Sequence, residues 1–271
     1  MIPNANRATA TTPSPSGLLA LLALTLLLGF GCGGQTETEE PRTPTAETPT
    51  AEAPAAPAGT ARIAGHVVYE GAVPALEPIR MDADPACAEK HSEPVQPEVL
   101  VLGDDGSSLG NVFVRVTGGL PEGTSPAPDE PVVIDQEGCQ YIPHVVGVMA
   151  GQPLQFENSD GILHNVHALP EVNREFNMAM PAERTTAQQT FSRPEDMFRV
   201  KCDVHPWMNA WVAVLPHPYY SVTGSDGKFE IAGLPAGTYE IEAWHERMGT
   251  QSSTVTVADG ESTLADMTFS M

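Results

Sequence analysis

From residue 61 onward the apolar positions recur with a period of two, in short Val, Ile, Phe and Thr runs bounded by Gly, Pro, Asn and Asp. Such runs predict strands in "HVVGVMAGQPLQFEN" (144–158), "AQQTFS" (187–192), "MFRVKC" (197–202), "NAWVAVL" (209–215), "GKFEIAGLPAGTYEIEAW" (227–244) and "STVTV" (253–257). No capped stretch of helical period follows residue 60, so the expected fold class is all-β, one sandwich or two. In "MFRVKC" the alternation places Phe198, Val200 and Cys202 on one face and Arg199 and Lys201 on the other, so the Cys202 thiol points inward where strand gives way to loop. In the 227–244 segment Phe229, Ile231, Tyr239, Ile241 and Ala243 alternate with Glu230, Glu240 and Glu242 around the turns "SDG" and "LPAG", a pattern for strands with one wet face.

Before residue 61 the pattern is different. The run "GLLALLALTLLLGF" (17–30), with Arg7 upstream, suits a signal-peptide core and is short of the roughly 20 residues of a membrane span. It ends in "GFGCGG", as at a bacterial lipoprotein cleavage site, which predicts export and a lipid anchor on Cys32; Gly29 stands where such sites usually carry a branched aliphatic. Residues 33–60, rich in Pro, Thr, Glu and Ala, have little to bury and read as a disordered linker. What remains suffices for two small domains.

Charge narrows the partners. Against 35 Asp+Glu the chain has 13 Lys+Arg, a net −22, which excludes nucleic acid. The same acidity suits either plain solubility or steering toward a basic redox partner such as a small c-type cytochrome.

The chemistry concentrates in "VKCDVHPWMNAWV" (200–212), where Cys202, His205 and Met208 follow one another at intervals of three. A thiolate, imidazoles and a weak thioether form the donor set of a blue-copper electron-transfer centre, since soft sulfur suits Cu(I) and nitrogen accommodates Cu(II). The second imidazole must come from another strand end, and "NSDGILHNVHALP" (158–170) offers His164 and His167.

The pair "AGQPLQFENSDGILHNVHA" and "VKCDVHPWMNAWVAVL" resembles the two ligand loops of the cupredoxins of the amicyanin and plastocyanin type, over roughly residues 131–216. The Met-rich "NMAMP" (177–181) and a "TF" pair (190–191) between the loops follow the same order. The resemblance implies one type 1 copper held by His164, Cys202, His205 and Met208, with His167 outside the ligand set. It also implies that Asn165 ties the two loops by hydrogen bonding near the sulfur, that electrons pass by an exposed edge of His205, and that Trp207 lies where a partner docks. Three donors plus an axial sulfur leave no open coordination position, which points to electron transfer and away from an enzyme. Lys201 and Asp203 flank the cysteine, so the histidines that wire a multicopper oxidase are absent, and one loop cysteine excludes a dinuclear centre.

The segment "VTGSDGKFEIAGLPAGTYEIEAWHE" (222–246) resembles the carboxypeptidase-regulatory, transthyretin-like sandwich modules of exported proteins. Residues 217–271 are few for a whole sandwich, and "ARIAGHVVYEGAVPA" with "GNVFVRVTGG" reads as its opening strands. The expected organisation is therefore a signal and anchor at 1–32, a linker at 33–60, a discontinuous outer sandwich from 61–130 with 217–271, and an inserted cupredoxin at 131–216. The alternative is that 61–130 extends the cupredoxin. Cys87 and Cys139 remain; in an oxidising compartment they would pair, while "CAEKH" and "CQYIPH" leave a second zinc or copper site as the competitor. His245, beside Glu246 on a strand, reads as structural. Together these readings describe a periplasmic, lipid-anchored electron carrier between a dehydrogenase and a cytochrome. Copper storage or delivery without redox turnover is the alternative, which the ten methionines favour.

Overall fold

The computed structural model describes residues 59–123 and 125–271; Cys32, the apolar run and most of the linker lie outside the described residues. The fold is all-β, and its strands fall into two sandwiches that divide the chain discontinuously. The chain opens in the outer one, with β1 (Ala61–Tyr69) and β2 (Phe113–Gly118). It then builds the inner one from β3 (Val132–Glu137), β4 (Gln140–Ile142), β5 (Val145–Met149), β6 (Pro153–Asn158), β7 (His164–Ala168), β8 (Phe176–Met180), β9 (Thr186–Thr190), β10 (Glu195–Lys201) and β11 (Asn209–Leu215). It returns to the outer one with β12 (Tyr220–Val222), β13 (Lys228–Leu234), β14 (Gly237–His245), β15 (Gly249–Val257), β16 (Ser262–Leu264) and β17 (Met267–Phe269).

The inner sheets run β5-β11-β10-β7-β8 and β4-β3-β6-β9; the outer sheets run β12-β2-β14-β15 and β13-β1-β16, with β17 also on β1. Alternation sets the faces. In β14 Tyr239, Ile241 and Ala243 are buried and Glu240 is exposed, as the period of two requires. In β5 every residue is buried, and β11 is apolar on both faces, because this edge of the inner sandwich is covered twice. Val146, Val148, Val212 and Val214 enter the inner core, while Val145, Ala213 and Leu215 meet Phe113 of the outer sandwich. Gly147 lies under the Tyr220 ring, where a Cβ would fall 2.5 Å from a ring carbon; Tyr220 Oη donates to the Gly147 carbonyl at 2.8 Å. Arg115 of β2 adds a polar clamp between Glu242 of β14 and Asp196 of β10.

One segment departs from the sequence-based grouping. Ile79, Met81, Cys87 and Val95, assigned by sequence to the outer sandwich, pack into the inner core. The cause is covalent as well as apolar, since Cys87 forms a disulfide with Cys139 in the β3–β4 hairpin. That pairing takes both sulfurs out of any second metal site. The hairpin turns through Gly138 and Cys139, both at positive φ (60° and 54°), the two-residue geometry that matches strand twist.

Candidate metal centre

β7 and β10 are antiparallel neighbours, with Val200 opposite Ala168 and Lys201 opposite His167. The register places the start of β7 and the end of β10 at the same end of the sheet. His164 opens β7, and Cys202 follows β10 on the loop to β11, so two residues far apart in sequence meet without unusual backbone. His205 reaches the same point from within that loop. One donor atom each from His164, Cys202 and His205 lies within 4.8 Å of the others, and all three residues are buried. His205 Nδ1 is 3.8 Å from Cys202 Sγ and 2.9 Å from His164 Nδ1. Met208 is buried in the same core, with its carbonyl accepting the Cys202 N–H at 3.1 Å and its N–H donating to the His205 carbonyl at 2.9 Å. The loop is thus a tight turn closed on itself.

The hydrogen bonds behind the imidazoles fix which nitrogens face inward. His164 Nε2 meets Asp160 Oδ2 at 2.9 Å, and His205 Nε2 meets Asp84 Oδ2 at 3.1 Å. An ionised carboxylate only accepts, so each Nε2 carries a proton, and a neutral ring then turns its Nδ1 lone pair inward. Two inward nitrogens and a sulfur so close together are a donor set that could hold one metal ion. The 3.8 Å nitrogen–sulfur separation would let His205 and Cys202 hold one ion between them at bonds of about 2.1 and 2.3 Å.

The surroundings of the sulfur favour its ionisation. Burial resists its ionisation, but hydrogen bonding to His164 and from the N–H groups of Asn165 and His205, the latter two at 3.4 Å, brings its pKa below the ordinary thiol value. Burial likewise opposes charge on His164, and the bonds to Asp160 and Cys202 more than offset it, raising that pKa. Asp160 is the hub of this half: it takes the N–H groups of Gly138 and Cys139 at 2.8 and 2.7 Å, and Lys90 Nζ at 3.1 Å. Against the cost of burial, these partners hold its pKa at about 2.

Asn165 behaves as the loop tie: its Oδ1 accepts the Asp203 N–H, and its Nδ2 donates to Asn177 Oδ1 at 2.5 Å. His167 is turned away, bridging Asp203 and Glu175 at 2.9 Å each. Trp207 is half-buried, its ring 5.2 Å from that of His205 and its Nε1 donating to the Cys139 carbonyl at 3.0 Å. The expectation of an exposed His205 edge is corrected: His205 is 1% exposed because Asp84, from the disulfide-tethered segment, covers its outer nitrogen. Sequence reading missed both carboxylates. Asp160 carried a weak signal, four residues before His164, whereas Asp84 lies 121 residues from its partner and carried none.

A carboxypeptidase regulatory-like domain model matches residues 204–270, which takes in β11 and the outer strands after it. No curated protein matches the chain. Among solved structures, an amicyanin variant in its Cu(I) form is 22% identical, over 31% of this chain and 82% of its own, with a TM-score of 0.29. An oxidised amicyanin variant is 19% identical over 39% and 99%, also at 0.29. A purple cupredoxin from Nitrosopumilus maritimus is 18% identical over 31% and 98%, at 0.26.

Proposed function

We propose that this protein is a cell-envelope electron carrier with a single type 1 copper held by His164, Cys202, His205 and Met208. The observation that carries the reading is the convergence of two Nδ1 lone pairs on one buried, thiolate-favouring sulfur. A structural zinc site would use such nitrogens and sulfur too, but the loop adds a buried thioether, a donor suited to Cu(I). Copper bound there would supply a one-electron couple. The chain's own part is to hold both imidazoles by their outer nitrogens, to donate two backbone N–H groups to the sulfur, and to keep water and substrates away. A closed donor set of this kind has no room for substrate, which favours a carrier over an enzyme.

The partners would be redox proteins, such as a dehydrogenase and a c-type cytochrome, with Trp207 at the docking face; anchorage through lipidated Cys32 belongs to the same reading. Copper storage or delivery is the competing function. Every potential metal group among the described residues draws on one small neighbourhood, in which Cys87 and Cys139 are already bonded, and this favours one ion over several. Copper counting decides between them. The carrier holds one copper per chain through gel filtration with chelator and exchanges one electron reversibly; several labile coppers per chain would make it a handling protein.

A further inference from the structure

The two carboxylates behind the imidazoles come from different places. Asp160 belongs to the inner sandwich's own β6–β7 connection, but Asp84 belongs to the segment before the sandwich begins. Asp84 is also the N-cap of a four-residue helix, α1 (Pro85–Ala88): its Oδ1 accepts the Ala86 N–H at 3.0 Å. Capping occupies one oxygen and fixes the side chain, and the other oxygen, Oδ2, lies on His205 Nε2. Pro85 presets the first helical turn. Around this point the segment is fastened three more times: Cys87 to Cys139, Lys90 Nζ to Asp160 Oδ1 at 3.1 Å, and Ile79 N–H to the Val95 carbonyl at 2.8 Å across the segment's base. The residue over the His205 imidazole is therefore held by a capped helix, a disulfide and an ion pair whose carboxylate, Asp160, lies in the loop before His164.

We propose that residues 79–98 form an integral wall of the metal centre, in which Asp84 is the positioning residue for His205. This rests on the copper reading and extends it. Asp84 locks His205 as its Nε2–H tautomer, so that Nδ1 faces the metal, and it seals the imidazole edge against small ligands and partner surfaces. A carboxylate on the outer nitrogen strengthens the imidazole as a donor and adds negative charge, which favours Cu(II) over Cu(I). Electron exchange then cannot use a bare His205 edge and must pass beside it, through the Trp207 face.

The test uses the full chain with Asp84→Asn and Asp84→Ser. Both replacements are good N-caps, so α1 is retained; Asn then has no spare acceptor for His205, and Ser is too short to reach it. In the copper-free wild type, nitrogen NMR should find His205 as a single Nε2–H tautomer, and both variants should lose that uniformity while keeping the wild-type circular dichroism. In the copper-loaded chain the variants should hold Cu(II) roughly 10–100-fold more weakly, with a raised reduction potential. Added azide should change the spectrum of Asp84→Ser and leave that of the wild type unaltered. Folded variants with the wild-type tautomer, potential and azide response would overturn the proposal. If the wild type bound no copper, the electron-carrier reading would fail, while the NMR comparison would still decide the role of Asp84.

Discussion

His245 ends β14 with its ring in the outer core, 6.2 Å from Phe269, and only its Nδ1 is engaged, accepting the Arg247 N–H at 3.2 Å. Nε2 is buried without a partner, and burial lowers its pKa to about 4. The unfolded imidazole titrates near 6.5, so between these values the unfolded chain binds the extra proton and stability falls as pH falls. The loss begins below about pH 6.5 and is complete below about pH 4, reaching about 3 kcal/mol. Urea unfolding from pH 7 to 4 should show this slope in the wild type and a shallower one in His245→Phe; equal slopes would exclude His245 as the cause. The convergence of His164, Cys202 and His205 was legible, because Cys202 and His205 share one loop and His164 has Asn165 beside it in a matching motif. Asp84 and Asp160 were not, because an orienting carboxylate needs only to arrive in space, and one oxygen leaves no periodic trace in sequence.

Among the elements, those whose two faces differ were readable. β14, and β10 from Phe198 onward, alternate as the pattern predicts, with Phe198 and Val200 inward in one and Tyr239, Ile241 and Ala243 in the other. β7 is absent from the predicted strands because its five residues, His164–Ala168, include His164, Asn165 and His167 and so show no apolar alternation. β15 begins at Gly249, four residues before the predicted start, because its first six residues are all exposed and give no apolar period. The 79–98 segment goes to the outer sandwich by sequence and to the inner one in the structure, since one sparse set of apolar residues would suit either; the disulfide fixes it. That bond spans 52 residues, and loop entropy alone assigns it about 4 kcal/mol. Replacing both Cys87 and Cys139 with Ser should lower the thermal midpoint and speed proteolysis within 79–98 ahead of the sandwich strands. Uniform protection of the segment in the double variant would show that packing alone holds it.

For the whole molecule, the strands β1 and β2 pair with those that follow β11, where too few residues remain for a complete second sandwich; sequence alone left open whether 61–130 belonged with them or with the inner sandwich. What sequence could not convey was that the sandwiches share a packed face, with Phe113, Val145, Ala213 and Leu215 buried between them. The arrangement supports β5 and β11 from outside while the loops bearing His164, Cys202 and His205 emerge from the inner sandwich and the 79–98 segment closes over them. The acidic charge, −22 over the chain, would speed association with a basic partner at low salt without altering this architecture. If Cys202 gives its sulfur to a copper ion enclosed by His164 and His205, the visible spectrum after addition of one equivalent of Cu(II) will report it. The wild type should turn intensely coloured from thiolate-to-copper charge transfer and Cys202→Ser should stay pale; a pale wild type with its Cys202 thiol intact would contradict the account.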